Sequence, residues 1–289
     1  MRGTRTYENS PNELVTMEIR ANELTFEVAV SGPDDAPAVL LLHGFPQSHR
    51  CWDGVVERLN AEGYRTIAPD QRGYSPGARP SAVDDYTVSN LVGDALGILD
   101  ALHVPKAHVV GHDWGAIVAW NLAVRHPERA RSLTALSVPH PAAYAWARAN
   151  DADQQRRSAY IDLFRQEGKA EDVLLADNAD RLRGVMVPPL TEQQAEPHLD
   201  LLREREAMTA ALNWYRAMDS GYGDLGPSTV PTTYVWSTED LALGAAGAQR
   251  CEQHVTGPYR FVRLEGVTHW IPEQEPETVA REVLGRAAG

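Results

Sequence analysis

Short apolar runs alternate with longer amphipathic stretches along this chain. Residues 14–20 and 24–30 largely alternate apolar and polar side chains. That is the period of a strand with one solvated face, and the two read as an antiparallel hairpin at a sheet edge. Residues 38–42 (AVLLL) are apolar without a break, as a central strand covered on both faces should be. Further strands are predicted at 65–68, 107–110, 133–138, 232–236 and 260–264. Helices are predicted between them, at 52–62, 87–102, 115–125, 241–254 and 276–286. Such alternation predicts an α/β fold with a mostly parallel, eight-stranded sheet flanked by helices.

The alternation stops between Pro139 and Pro231. That stretch is rich in Ala, Arg, Glu and Leu, and its only periodicity is helical. The expected organisation is a core domain made from residues 1–139 and 231–289, with 140–230 inserted as a helical cap over the sheet's carboxyl edge.

Composition narrows the function. A chain of 289 residues can bury roughly three quarters of its unfolded surface around one core. The net charge of −13 argues against nucleic acid, because a binder of phosphates needs a surplus of Lys and Arg on one face. The two cysteines, Cys51 and Cys251, have no metal or CxxC spacing and read as free thiols in a reducing compartment. The first 14 residues are polar with no signal core, and no run approaches the ~20 apolar residues of a membrane helix. A cytoplasmic protein is expected, monomeric or homodimeric, with neither a membrane nor a nucleic-acid partner.

The chemistry begins at Gly111-His-Asp113-Trp-Gly115, where a β run passes straight into a helical pattern. This is the G-x-Nuc-x-G corner that lifts one side chain above a sheet. Its glycines allow backbones to approach where a Cβ would clash. The nucleophile position holds Asp113. A carboxylate is already anionic at pH 7 and needs no base before it attacks. Amide dipoles at the start of the following helix favour that charge by about 0.3–1 kcal/mol. Carboxylate attack suits an alkyl carbon and leaves an ester on the enzyme. A plain helix N-cap is the bland alternative.

Two later strands each end in a polar group. Residues 232–236 run into Asp240, with Glu239 as the alternative acid, and residues 260–264 run into His269. Sites of open α/β sheets lie at such carboxyl ends, and nucleophile, acid, histidine is the expected chain order. After the third strand comes His43-Gly44-Phe45-Pro46. The backbone N–H groups of Phe45 and Trp114 are candidates for an oxyanion hole, with His43 bracing the loop. A cis Pro46 is compatible with this tight turn.

At this point the chain resembles the α/β-hydrolase epoxide hydrolases along nearly its whole length. The matching motifs are His43-Gly-Phe-Pro46, Asp70-Gln-Arg-Gly-Tyr74, Gly111-His-Asp-Trp-Gly115, the late Asp240 and Gly266-Val-Thr-His269. Within the cap, Asn213-Trp-Tyr215-Arg216 is similar to the family's second tyrosine motif, and Tyr160, four residues before Phe164, to the first. The resemblance implies a small apolar epoxide and water as substrates and a diol as product. It implies an aspartyl ester as intermediate and no cofactor or metal. Tyr160 and Tyr215 are then donors to the ring oxygen, since phenols stay protonated at pH 7. One departure is the loop Ser75-Pro-Gly-Ala-Arg-Pro80, which lacks the common Gly-x-Ser continuation and bears on substrate shape.

Three rivals share parts of this pattern. A haloalkane or haloacid dehalogenase uses the same triad but needs N–H donors for halide. Trp114 could be one, yet Phe45 stands where an Asn is usual, and Trp114 and Ile117 occupy the place of carboxylate-binding arginines. An ester hydrolase lacks its Ser here. A non-catalytic ligand-binding protein would show a damaged triad. Trp52, Trp214 and Trp270 are candidates to line an apolar substrate pocket.

Overall fold

The computed structural model describes residues 14–218 and 223–287. Most of the polar N-terminal stretch and a few residues of the predicted cap lie outside the described residues. Eight strands form one sheet: β1 (Val15–Ala21), β2 (Leu24–Ser31), β3 (Ala38–Leu42), β4 (Arg65–Pro69), β5 (Ala107–His112), β6 (Ala130–Leu136), β7 (Thr232–Glu239) and β8 (Tyr259–Thr268). Their spatial order is β1-β2-β4-β3-β5-β6-β7-β8. β1 and β2 form an antiparallel hairpin and β2 pairs antiparallel with β4. All other neighbours are parallel.

The period-2 rule divides the central strands between two cores. Ala38, Leu40 and Leu42 of β3 face one apolar cluster, and Val39 and Leu41 face the other. β5 sends Ala107 and Val109 one way and Val110 the other. The first cluster is covered by α2 (Val88–Ala101) and α3 (Trp114–Arg125), the second by α1 (Asp53–Ala61) and the C-terminal α12 (Pro276–Ala287). Leu40 is wholly buried; shortening such a side chain to Ala costs about 2–5 kcal/mol.

Between β6 and β7 the described residues build six helices: α4 (Pro141–Asn150), α5 (Ala152–Arg157), α6 (Tyr160–Phe164), α7 (Lys169–Met186), α8 (Glu192–Leu202) and α9 (Arg205–Arg216). α7 is interrupted at Ala176–Ala179, where Asp177, Asn178 and Ala179 take positive φ. α9 is seated on the core. The Trp214 indole donates to the Arg72 carbonyl at 2.8 Å, and the loop at Gly73 packs so closely that a Cβ there would stand 3.0 Å from the Ala210 backbone.

The helix expected at 241–254 is shorter. Regular helix α10 covers Ala245–Arg250, followed by a 3-10 turn at Cys251–His254. Residues 241–244 stay out of the helix because their amides are used elsewhere: the N–H groups of Ala242 and Leu243 donate to Asp240. A short α11 (Ile271–Gln274) separates β8 from α12. No helix among the described residues is long and apolar enough to cross a membrane.

Candidate active site

Strand order reverses at β3. The chain runs from β3 to β4 on one side and later places β5 on the other. Loops leaving the carboxyl ends of β3 and β5 therefore diverge and open a crevice between them. Gly44 and Phe45 stand on one lip, and Asp113 stands on the other.

Asp113 has φ 52° and ψ −121°, a conformation that L-residues avoid. Such strain costs on the order of 1–3 kcal/mol and persists only where the surroundings enforce it. Here tight packing enforces it. A Cβ at Gly115 would lie 2.0 Å from the Leu42 carbonyl oxygen, and one at Gly44 would lie 2.4 Å from the Asp113 carboxylate. The Phe45 N–H donates to Asp113 Oδ1 at 2.9 Å, and the Trp114 backbone N–H also reaches this carboxylate. The Phe45–Pro46 peptide is cis. His43 is wholly buried and accepts the Gln71 N–H on Nε2 at 3.1 Å, tying the Phe45 loop to the next one. Burial drives the His43 pKa down to about 4, so it remains a neutral strut.

Asp240 is completely buried. Its Oδ1 accepts N–H bonds from Ala242 at 2.8 Å and Leu243 at 3.0 Å. Its Oδ2 accepts the Ser137 hydroxyl at 2.8 Å and lies 3.0 Å from His269 Nδ1. Burial pushes Asp240 upward, but His269 and these donors outweigh it and hold the carboxyl below its usual range. His269 Nε2 is 3.7 Å from Asp113 Oδ2. Burial pulls the imidazole down, yet the charges of Asp240 and then Asp113 raise it to about 9. Asp113 is itself raised, first by burial, with His269 and the Trp114 and Phe45 amides opposing. Carboxylate, imidazole and carboxylate thus form one buried row, with charge alternating along it. Glu239 is exposed and stands outside this row.

Above Asp113 lies a cavity of about 200 Å³. Asp113, His269, Tyr160 and Tyr215 all border it, and Phe45, Leu163, Phe164, Leu174 and Leu182 make its walls apolar. Tyr215 comes from α9 and Tyr160 from the start of α6. Their rings meet edge-on with centroids 6.1 Å apart. Burial pushes both phenols well above 10, and the charge of Asp113 adds to this, so both carry their protons at neutral pH. The Trp114 ring packs edge-on against the Tyr215 ring, centroids 5.1 Å apart.

The tryptophan candidates separate. Trp270 borders the cavity. Trp52 does not: it is fully buried in the second core cluster, among Val55, Leu59 and Ile271. Trp214 does not either, because its indole faces Tyr74 and Trp114 edge-on and its N–H is spent on Arg72. The loop 75–80 also stays away from the cavity. Ser75 stitches β2 to Asp70, and Arg79 pairs with Glu204 beside α9. Two contributors were not anticipated from sequence. Ser137 joins Asp240 and His269; its signal was a polar residue just past the end of β6. The cavity walls from α6 and α7 carried no signal beyond helical apolarity.

The α/β-hydrolase fold family model matches residues 37–276. The chain is 34% identical over 273 residues to the AB hydrolase superfamily protein YfhM of Bacillus subtilis, covering 92% of this chain and 95% of that one. It is 32% identical over 310 residues to epoxide hydrolase A of Mycobacterium tuberculosis, with the same coverage. Among solved structures, epoxide hydrolase A of Mycobacterium thermoresistibile superposes with a TM-score of 0.84 at 27% identity, over 96% of this chain and 99% of that one. The chain belongs to the α/β-hydrolase family and, within it, to the epoxide hydrolases.

Proposed function

We propose that this enzyme converts an epoxide to a vicinal diol in two steps, through an ester on Asp113. The observation that carries the reading is the pairing of two protonated tyrosines with a buried carboxylate across one apolar cavity. An opening epoxide leaves an alkoxide, which needs an acid near it. Tyr160 and Tyr215 supply that acid while Asp113 attacks a ring carbon. The product of this step is a hydroxyalkyl ester. Helices α4–α9 act as the cap that carries both donors.

In the second step His269, oriented by Asp240, takes a proton from water. The resulting hydroxide adds to the ester carbonyl carbon of Asp113, and the Phe45 and Trp114 amides receive the developing oxyanion. Collapse expels the diol, whose leaving oxygen takes the proton held on His269, and the acid formed on Asp113 gives its proton back to the tyrosine and returns to the carboxylate. The names of the relatives agree with this chemistry. Dehalogenation fits less well. A halide needs free N–H donors, but the Trp114 ring is packed against Tyr215 and the neighbouring lip carries Phe45. A cytoplasmic setting is supported by Cys51 and Cys251, which are buried and unpaired with each other.

The test is turnover on a panel of terminal and disubstituted epoxides, haloalkanes, fluoroacetate and a nitrophenyl ester, with Asp113→Asn alongside. The expected result is diol formation that disappears in the variant. Halide release without diol would replace this reading with a dehalogenase.

A further inference from the structure

Asp113, Tyr160 and Tyr215 border a second cavity as well as the first. The first, of about 200 Å³, reaches Val185 and Leu241, which are 40% and 46% exposed, so it opens to solvent. The second is a space of about 20 Å³. It is lined by Trp114, Ile117, Val138, Tyr144, Ile161 and Leu243, each of them buried. Because the two tyrosines and the carboxylate border both spaces, they form the partition between them. His269 borders the larger space and not the smaller.

The sizes decide what each space can hold. An apolar cavity of about 150 Å³ takes a benzene ring, whereas about 10–15 Å³ takes one water molecule. On that scale the larger space receives an aromatic ring or a chain of similar bulk. The smaller receives a hydrogen or a methyl group. Its walls are tied to the reacting groups and cannot easily retreat. Ile117 lies one helical turn past Asp113, and its N–H reaches the Asp113 carbonyl at 3.3 Å. Leu243 gives its N–H to Asp240 Oδ1 at 3.0 Å, and its carbonyl accepts the Trp236 indole N–H at 3.0 Å.

We propose that these two spaces sort the substituents of the epoxide, and that the substrates carry one bulky apolar arm while the other ring carbon carries hydrogen or methyl. Ile117 and Leu243 set the limit on the small side. This rests on the epoxide reading above. With its oxygen toward Tyr160 and Tyr215 and a carbon toward Asp113, the ring sits at the partition. Substituents on its two carbons then diverge, one into each space. A second bulky arm has only the smaller space to enter, and dense packing there resists expansion.

The experiment measures kcat/KM on styrene oxide, trans-β-methylstyrene oxide and trans-stilbene oxide, for the wild type, Ile117→Ala, Ile117→Val and Leu182→Ala. The wild type should convert the methyl compound within about tenfold of styrene oxide, and stilbene oxide at least about 10²-fold more slowly. Ile117→Ala should raise the ratio of stilbene oxide to styrene oxide about tenfold, and Ile117→Val by less. The Val variant removes a single methyl group and carries the test should the Ala variant not fold. Leu182→Ala widens the larger cavity and should leave that ratio where it was. Stilbene oxide converted by the wild type as fast as styrene oxide would overturn the proposal. So would a ratio that neither Ile117 variant moves. Absence of diol from all three compounds is a different outcome: it would remove the epoxide reading itself, and this proposal with it.

Discussion

The floor and the roof of the cavity are built differently. On the floor, the two carboxylates are fixed largely by backbone. Asp113 sits on a strained corner closed by glycine packing, and Asp240 is held by two amides and the Ser137 hydroxyl. The roof is held by side chains, and unevenly. Tyr215 rides on α9, which is anchored to the core through Trp214 and to α7 by the buried Arg216–Glu171 pair at 2.9 Å. Tyr160 begins a five-residue helix with no side-chain cap, is partly exposed, and neighbours the interrupted α7. The difference suggests a division of labour. On the proposed mechanism, a rigid floor would set reaction geometry, while a roof with one firm and one yielding donor would set how substrates are received.

The largest effects should come from the floor. Asp113→Asn should remove roughly 10⁴-fold or more of kcat, measured as diol release; near-wild-type turnover would mean that another group attacks. His269→Gln should still open the ring but stop at the ester, seen by intact mass as protein plus one substrate. pH should separate the two steps with opposite logic. Ring opening needs anionic Asp113, which burial raises, so its rate should fall with acid at a midpoint above the ordinary 3.8. Ester decay needs neutral His269. It should rise with pH, and at a midpoint below about 9, because the ester has lost the Asp113 charge that helps raise it. Coincident profiles would contradict the assignment of separate roles.

The roof should yield smaller effects, graded by how firmly each part is held. Tyr215→Phe should slow ring opening by about 10²-fold, as loss of a preorganised donor does. Tyr160→Phe should cost several-fold less, and equal losses would erase the distinction between firm and yielding donors. Glu171→Ala should lower stability by about 3 kcal/mol by stranding Arg216, read from denaturant midpoints, with a smaller loss in ring opening. Trp214→Phe should be mildest. It loses one indole hydrogen bond, about 1–2 kcal/mol, and leaves the floor untouched.

How much of this was legible follows the same division. The floor residues could be picked out because their sequence marks are short. Gly111 is dictated by the Gly115 backbone in the same corner, Gly115 by the Leu42 carbonyl at the end of β3, and β3 and β5 announce themselves as largely apolar runs. Asp240 and His269 follow strands directly. Ser137 was missed, although it also follows a strand, because an isolated serine is common at such ends. The tryptophans could not be sorted from sequence. Trp52, Trp214 and Trp270 are all nearly fully buried, and only packing shows that one of them borders the cavity while two fill cores. The helix expected from 241 was curtailed because Asp240 competes for the amides that would have started it. In α7 the break at 176–179 falls where the local sequence has no proline or glycine to announce it.

The central claim is that the oxygen delivered to the substrate comes from Asp113 and not directly from water. One turnover in ¹⁸O-labelled water, with enzyme in excess over epoxide, tests it most directly. The account predicts unlabelled diol and ¹⁸O in the Asp113 carboxylate, found by mass spectrometry of its peptide. Labelled diol and an unlabelled Asp113 would mean that water attacks the ring itself, and the covalent mechanism would have to be abandoned.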